Sequence, residues 1–159
     1  MARLTLRAAL PADAETVYRM IRDLCTALGE GELFEARLED VQRDAFGPDR
    51  RYETWLAELD ERPVGLLSFY MTYSTYKGAP CLFIDNLFVE PWARGERAGA
   101  KLMAAAARLA IERGCCRIDL HVLKSNPARS FYDAIGLMAT DERPYSIDRV
   151  GLRKLAAEI

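Results

Sequence analysis

The chain is predicted to fold as a mixed α/β domain, on three observations. A hairpin pattern across residues 52–73 requires an antiparallel pair, so the sheet cannot be all parallel. An apolar strand over 81–89 runs through a glycine-containing loop into an amphipathic helix over 100–113. The length, 159 residues, suits one domain, taken as 1–159.

The elements follow in order. Residues 5–9 read as a first strand. Pro11-Ala12-Asp13 opens a helix, since proline fits a first turn and Asp13 favours its positive end. Val17, Met20, Ile21, Leu24 and Leu28 recur at helical spacing until Gly29. A shorter helix spans 35–45, with Leu38, Val41 and Phe46 inward, and Gly47-Pro48-Asp49 ends it. Residues 52–59 and 64–73 form the hairpin about Asp60-Glu61-Arg62-Pro63. A polar loop over 74–80 leads to the 81–89 strand, which only Asp85 and Asn86 interrupt. In the helix over 100–113, Leu102, Met103, Ala106, Leu109 and Ala110 share one face, and Gly114 stops it. A strand over 117–123 and a helix over 127–135 follow, the latter ended by Gly136. A weak strand, a turn at Arg143-Pro144 and a helical stretch from Val150 complete the chain. The order is β-α-α-β-β-β-α-β-α-β.

Composition narrows the function. Apolar residues make up 50% and charged residues 29%, ordinary globular usage that excludes disorder and collagen-like architecture. Lys and Arg number 22 against 24 Asp and Glu, for a net charge of -2. A nucleic-acid partner is not expected, because displacing counterions needs clustered positive charge. No apolar run reaches membrane-spanning length, and residues 1–7 lack a signal-peptide core, so the expectation is a cytoplasmic protein without membrane association. The four cysteines show no metal-ligand spacing and only one His is present, so reduced thiols and no metal site are expected.

The chemistry concentrates in Leu87-Phe88-Val89-Glu90-Pro91-Trp92-Ala93-Arg94-Gly95-Glu96-Arg97-Ala98-Gly99-Ala100-Lys101. A strand enters a loop that opens a helix. The helix's first N–H groups have no internal partner, and its dipole favours anions there. Gly95 and Gly99 permit close backbone approach, while Arg94, Arg97 and Lys101 add charge nearby. The pattern is neither a Walker loop nor G-x-G-x-x-G. A diphosphate held by main-chain amides fits it, and a plain tight turn is the alternative.

Val89 to Gly99, Val-x-Pro-x-x-Arg-Gly-x-x-x-Gly, resembles motif A of the Gcn5-related N-acetyltransferases. Ala128 to Leu137 resembles that family's Ala-x-x-Phe-Tyr-x-x-x-Gly-Phe segment. Residues 73–78 and 82–89 are similar to the diamine/thialysine (spermidine/spermine) acetyltransferase branch. The resemblance implies a mostly antiparallel central sheet flanked by helices. It implies acetyl-CoA as co-substrate, with its pyrophosphate on the amides of Arg94, Gly95, Glu96, Arg97, Ala98, Gly99 and Ala100. The pantetheine arm would lie beside Leu87, Phe88 and Val89, where the strand parts from its neighbour. It implies a homodimer as well. The family's usual glycine is Arg97 here. Its usual asparagine, seven residues before the tyrosine, falls at Ser125; either Ser125 or Asn126 fills that role, and Asn126 is the choice.

Moving an acetyl group from a thioester to an amine requires a neutral amine and a proton for the leaving thiolate. Tyr132 is the acid candidate: a phenol is protonated at neutral pH, and the resemblance puts this tyrosine beside the sulfur. Asp85 is the base candidate, a carboxylate in an apolar strand, where burial raises its pKa; in the polyamine branch a Glu-Asp pair stands where Asp85-Asn86 stands here. No cysteine sits in a triad-like setting, so direct transfer is expected rather than an acyl-enzyme. Trp55, Tyr70, Tyr73 and Tyr76 are candidate walls of an amine pocket, or core and dimer contacts. Glu30, Glu32 and Glu35 read as a solvated face, and His121 as a packed or surface residue. The expected activity is N-acetylation of a primary amine on a small molecule, polyamine- or amino-acid-like. A protein or peptide acceptor, or a non-catalytic acyl-CoA-binding module, is the alternative.

Overall fold

The computed structural model describes residues 3–157. They form two compact units, one ending at Asn126 and one beginning at Pro127.

The first unit contains β1 (Leu4–Ala8), α1 (Ala14–Ala27), α2 (Leu38–Phe46), β2 (Glu53–Leu59), β3 (Arg62–Ser74), β4 (Ala79–Val89), α3 (Ala98–Glu112) and β5 (Ile118–Leu120). The five strands form one sheet in sequence order. Each pair is antiparallel except β4–β5, which is parallel. The mixed, mostly antiparallel sheet flanked by helices is therefore as expected.

Local chemistry explains the boundaries. Pro11–Asp13 forms a single 3-10 turn ahead of α1, and Asp13 accepts the Leu10 N–H at 2.7 Å. The β2–β3 turn is tighter than anticipated. Asp60 and Glu61 both have positive φ, 49° and 64°, so Leu59 pairs directly with Arg62. Asp60 tolerates this backbone because Arg3 N–H donates to its Oδ1 at 2.8 Å.

Strand alternation sorts the core. Leu56, Leu66 and Phe88 pack with Val17 and Met20 of α1 and Val41 of α2. The opposite parity of β3 meets α3. A Cβ at Gly65 would lie 3.4 Å from Leu102 Cδ1 and 3.2 Å from the Phe88 carbonyl oxygen. Glycine there lets α3 settle against the strands that lead into its own N-terminal loop.

Two irregularities break the alternation. One lies in the β2–β3 ladder, where Val64 is the extra residue between Gly65 and Pro63. The other lies in the β3–β4 ladder: Ser68 pairs with Asn86 and Phe69 with Ile84, leaving Asp85 as an extra residue on β4.

The second unit contains α4 (Arg129–Ala134) and α5 (Arg149–Ala156). Asp148 caps α5 by accepting the Gly151 N–H at 2.7 Å. The helix expected from Val150 is thus present. The closing strand of the expected order is a correction: residues 137–148 carry no strand. Asp141-Glu142-Arg143-Pro144 offers no alternating pattern, and Pro144 has no N–H for a ladder. The strand expected over 117–123 also shrinks, to Ile118–Leu120.

The four cysteines are free. Cys116 lies with its Sγ 3.4 Å from that of Cys81.

Candidate active site

The bulge at Asp85 organises the first unit's cavity. Strict alternation would send Asp85 and Asn86 to opposite faces of the sheet. The extra residue changes this, and both side chains line one cavity of about 410 Å³. Ile21, Phe34, Ala36 and Val41 form its apolar wall, Tyr52 and Tyr70 its aromatic one. Arg51 completes it, and supplies its cationic group. The size and the apolar lining with a few polar groups suit a small-molecule site.

Asp85 is held in place by a short relay. The Asn86 amide donates to Ser68 Oγ at 2.7 Å and to Asp85 Oδ2 at 3.1 Å. Ser68 is 1% exposed, so its hydroxyl is a fixed point inside the sheet. Among the described residues no cation pairs with Asp85. Desolvation lifts its pKa above the ordinary carboxylate range, and the Asn86 hydrogen bond offsets part of that. The raised pKa is as expected for a carboxylate in an apolar strand, while the Asp85 residue itself is exposed and lines the cavity, which keeps it available to a ligand.

The phenols beside it respond to the same surroundings. Burial, then the charges of Asp44, Asp85 and Asp40, pushes Tyr52 up to about 12. Burial and Asp85 raise Tyr70 as well. Both are neutral hydroxyls at physiological pH.

Beyond Asp85, β4 loses its outer neighbour. The pairing with β5 covers Leu82, Phe83 and Ile84 alone, while β3 accompanies β4 to Val89. Leu87, Phe88 and Val89 thus have no strand on their outer edge among the described residues. The chain then makes a 3-10 turn, Pro91–Ala93, and enters the loop that opens α3. Two contacts fix this exit. Arg19 of α1 pairs with Glu90 at 2.7 Å, and the Arg62 guanidinium lies 4.4 Å from the centre of the Trp92 ring.

In that loop Gly95 takes φ 99°. Arg97 is the N-cap of α3 and sits in the left-handed region, at φ 62° and ψ 17°. This is the position where the resemblance places glycine, and the backbone here takes the conformation glycine favours. The Arg97 side chain provides no cap. The N–H groups of Ala98, Gly99 and Ala100 occupy the first turn, ahead of the first helical bond, from Lys101 N–H to the Arg97 carbonyl at 3.0 Å. None of the ion pairs among the described residues involves Arg94, Arg97 or Lys101. Uncapped N–H groups, a helix dipole and uncommitted cations together form a fitting cradle for a diphosphate.

The remaining candidates are spread more widely. Asn126 closes the first unit, its N–H donating to the Leu123 carbonyl at 2.9 Å. Tyr132 stands on α4 in the second unit, and burial raises its phenol. Tyr70 lines the cavity as proposed, whereas Tyr73 and Tyr76 are 64% and 99% exposed and, with Trp55, are absent from its lining. His121 is exposed and packs edge-on against Phe83 at 5.0 Å between ring centres. Sequence reasoning missed Arg51, Tyr52 and Phe34. They lie in connections or at a strand's start, where periodicity carries no signal. A charged-aromatic pair just before a strand is the one feature that could have marked Arg51-Tyr52.

Among the described residues no helix is long and apolar enough to cross a membrane.

Residues 15–137 match the acetyltransferase (GNAT) family. The chain is 30% identical to a thialysine N-epsilon-acetyltransferase of Bos taurus over 145 residues, covering 86% of this chain and 85% of the relative. Among solved structures, an integron cassette protein of V. cholerae superposes with a TM-score of 0.79 at 23% identity, covering 96% of this chain and 97% of that one. An aminoglycoside N-acetyltransferase in complex with CoA superposes with a TM-score of 0.76 at 18% identity, covering 94% and 97%.

Proposed function

From the premise that this chain belongs to the GNAT acetyltransferase family and is an N-acetyltransferase, we propose that it moves an acetyl group from acetyl-CoA directly to a primary amine of a small molecule within a ternary complex. The observation that carries this reading is the β4 bulge. It turns an unpaired carboxylate, Asp85, into a cavity with aromatic walls, on the same strand that runs into the uncapped N-terminus of α3.

The residues divide the work. The amides of 94–100 hold the diphosphate, and the outer edge of Leu87, Phe88 and Val89 takes the pantetheine arm. Bound acetyl-CoA supplies the activated acyl group. Asp85 attracts the acceptor as an ammonium and takes its proton, directly or through water, since an alkyl ammonium is mostly protonated at neutral pH. Asn86 positions Asp85. Tyr132 gives a proton to the departing sulfur, and Asn126 takes the place of the family's asparagine. Both units act as one acetyltransferase domain. We place the enzyme in the cytoplasm. We read it as a homodimer, which the edge of β3 beyond Phe69, unpaired on the β2 side among the described residues, supports, with Met71 and Tyr73 exposed there.

The deciding experiment follows thiol release from acetyl-CoA across polyamines, diamino acids, aminoglycosides and peptides. It uses protein whose mass by light scattering is twice the monomer's, as the dimer reading requires. Release with a small amine, and none with peptides, is the expected result. On that amine, Asp85→Asn lowers kcat/KM by roughly 10²-fold. The wild-type kcat/KM falls as pH drops, because protonated Asp85 neither attracts the ammonium nor accepts its proton. This acid limb lies above the ordinary carboxylate range, in the direction of the Asp85 shift, and vanishes in Asp85→Asn. A wild-type profile flat through that range would remove Asp85 from the mechanism.

Whether main chain or side chain holds the diphosphate is separately testable. Arg97→Gly keeps the left-handed backbone and all the N–H groups but removes the guanidinium. Calorimetric CoA affinity is expected to stay within about threefold, with stability unchanged or raised by up to ~1 kcal/mol. A tenfold weakening would move the grip onto the arginine.

A further inference from the structure

Thr54 of β2 is 6% exposed, and among the described residues its Oγ1 has no hydrogen-bond partner. Buried hydroxyls are nearly always paired, so the exception calls for a cause. Thr54 stands at the end of a polar row that crosses three strands. It pairs with Ser68 on β3, and Ser68 pairs with Asn86 on β4. Two residues along each strand, Leu56, Leu66 and Phe88 pack with α1 and α2, so the row lies on the face that carries the cavity. At its far end Asn86 directs its amide hydrogens to Ser68 Oγ at 2.7 Å and to Asp85 Oδ2 at 3.1 Å.

The two ends of an amide are alike in shape, and the opposite orientation would set the Asn86 oxygen against Asp85. A carboxylate is favoured by a donor and disfavoured by a second acceptor. Ser68 decides between them. Its hydroxyl has one hydrogen and two lone pairs, so by itself it can face Asn86 either way. With that hydrogen engaged elsewhere, Ser68 can only accept, and the Asn86 NH2 must face it. Thr54 Oγ1 is the buried acceptor at hand. Opposite Cβ atoms of an antiparallel pair stand about 4.5–5.5 Å apart, close enough for two hydroxyls to bond once their χ1 torsions face each other.

We propose that Thr54 and Ser68 are positioning residues: Thr54 accepts the Ser68 hydrogen, which obliges Ser68 to accept from Asn86 and keeps an Asn86 amide hydrogen on Asp85. The consequence rests on the transferase reading, in which Asp85 takes the acceptor's proton as a carboxylate. Neither Thr54 nor Ser68 lines the cavity, so both act through Asn86. The charged and titratable groups that share the lining with Asp85 are Arg51, Tyr52 and Tyr70; the walls from α1, α2 and the connection between them are apolar. Arg51 acts on the Asp44 carboxylate, and the two phenols, both raised, stay neutral where a carboxyl titrates. Asn86 is thus the group that favours ionised Asp85 against its burial.

Thr54→Val, which keeps the shape of the side chain and removes its oxygen, tests this. The readout is the Asp85 carboxyl resonance in the full chain carrying isotope-labelled aspartate, assigned as the signal lost in Asp85→Asn and followed by titration. The Asp85 midpoint is expected to rise in Thr54→Val and to return to the wild-type position in Thr54→Ser, which keeps the hydroxyl. In thiol release, kcat/KM of Thr54→Val at the pH where the wild type is half-maximal falls about threefold or more, while the plateau at higher pH stays within about twofold. Ser68→Ala raises the midpoint as well, and combining it with Thr54→Val raises it no further, because Thr54 acts through Ser68. An unchanged midpoint in Thr54→Val overturns the inference, most clearly if valine also raises the melting temperature, as removal of a merely unpaired hydroxyl would. Additive effects of the two substitutions overturn it too. Both results leave the transferase reading standing. That reading falls instead if protein that binds CoA releases no thiol with any amine, and the Asp85 titration still decides the hydrogen-bond relay.

Discussion

Tyr132→Phe is expected to lower kcat by roughly 10²–10³-fold at neutral pH, with little change in KM for either substrate. A positioned general acid contributes about that factor. In the proposed role, removing the hydroxyl would leave the departing thiolate to find its proton from water. Burial raises the Tyr132 phenol, so it is fully protonated across the physiological range and available as a donor. The substitution isolates that role. The backbone around it is fixed by hydrogen bonds that phenylalanine retains: Tyr132 N–H donates to the Ala128 carbonyl at 3.1 Å, and Leu137 N–H donates to the Tyr132 carbonyl at 3.0 Å. The aromatic contact with Phe131, 5.3 Å between ring centres, is retained too. Thermal denaturation should therefore move little while steady-state thiol release collapses. If kcat stays within threefold of the wild type, the proton comes from elsewhere. A matched loss of kcat and melting temperature would assign Tyr132 to packing.

The comparison between sequence and structure divides along a physical line. Elements whose side chains repeat with a clear period were legible. Val17, Met20 and Ile21 announced α1, and the apolar run from Cys81 announced β4. Each buries a face against neighbours that follow from the same rule. The α3 loop was legible for another reason: glycines and a helix start leave a mark in sequence, although the uncapped first turn begins at Ala98, two residues ahead of the expected start. The cavity was not legible. Its composition depends on one inserted residue in the β3–β4 register, and alternation by itself puts Asp85 and Asn86 on opposite faces. Arg51, Tyr52 and Phe34 join them from segments that carry no period. Of the last elements expected, only the closing strand is missing, where the pattern is weakest, between Leu137 and Asp148. Neither α4 nor α5 has a buried residue, so no apolar face there dictated a strand or its register.

The same bulge makes Phe69 the residue whose loss should cost the most stability. Phe69 is fully buried on β3, paired with Glu53 on one side and Ile84 on the other, at the step where the register shifts around Asp85. Arg113, at the C-terminal end of α3, rests its guanidinium 5.7 Å from the ring centre. It grips Glu53 with two hydrogen bonds, 2.6 and 2.9 Å long, which hold that carboxyl below the usual carboxylate range. The ring therefore does more than fill space: it supports the ion pair that ties the end of α3 to β2, where the helix dipole also favours a cation. Phe69→Ala is expected to cost about 3–5 kcal/mol, a large share of a typical total of about 5–15 kcal/mol. Chemical denaturation should read that loss directly. A thermal scan should show a fall of roughly 6–20 °C, at about 2–4 °C per kcal/mol for a chain of this size. Phe69→Leu, which keeps most of the volume, should cost far less. Because Phe69 adjoins the bulge, the alanine variant should also lose kcat/KM below its unfolding transition, as Asp85 loses its fixed aim into the cavity. A stability loss under about 1 kcal/mol would mean that the neighbours collapse into the space, and that the bulge holds its shape without the ring.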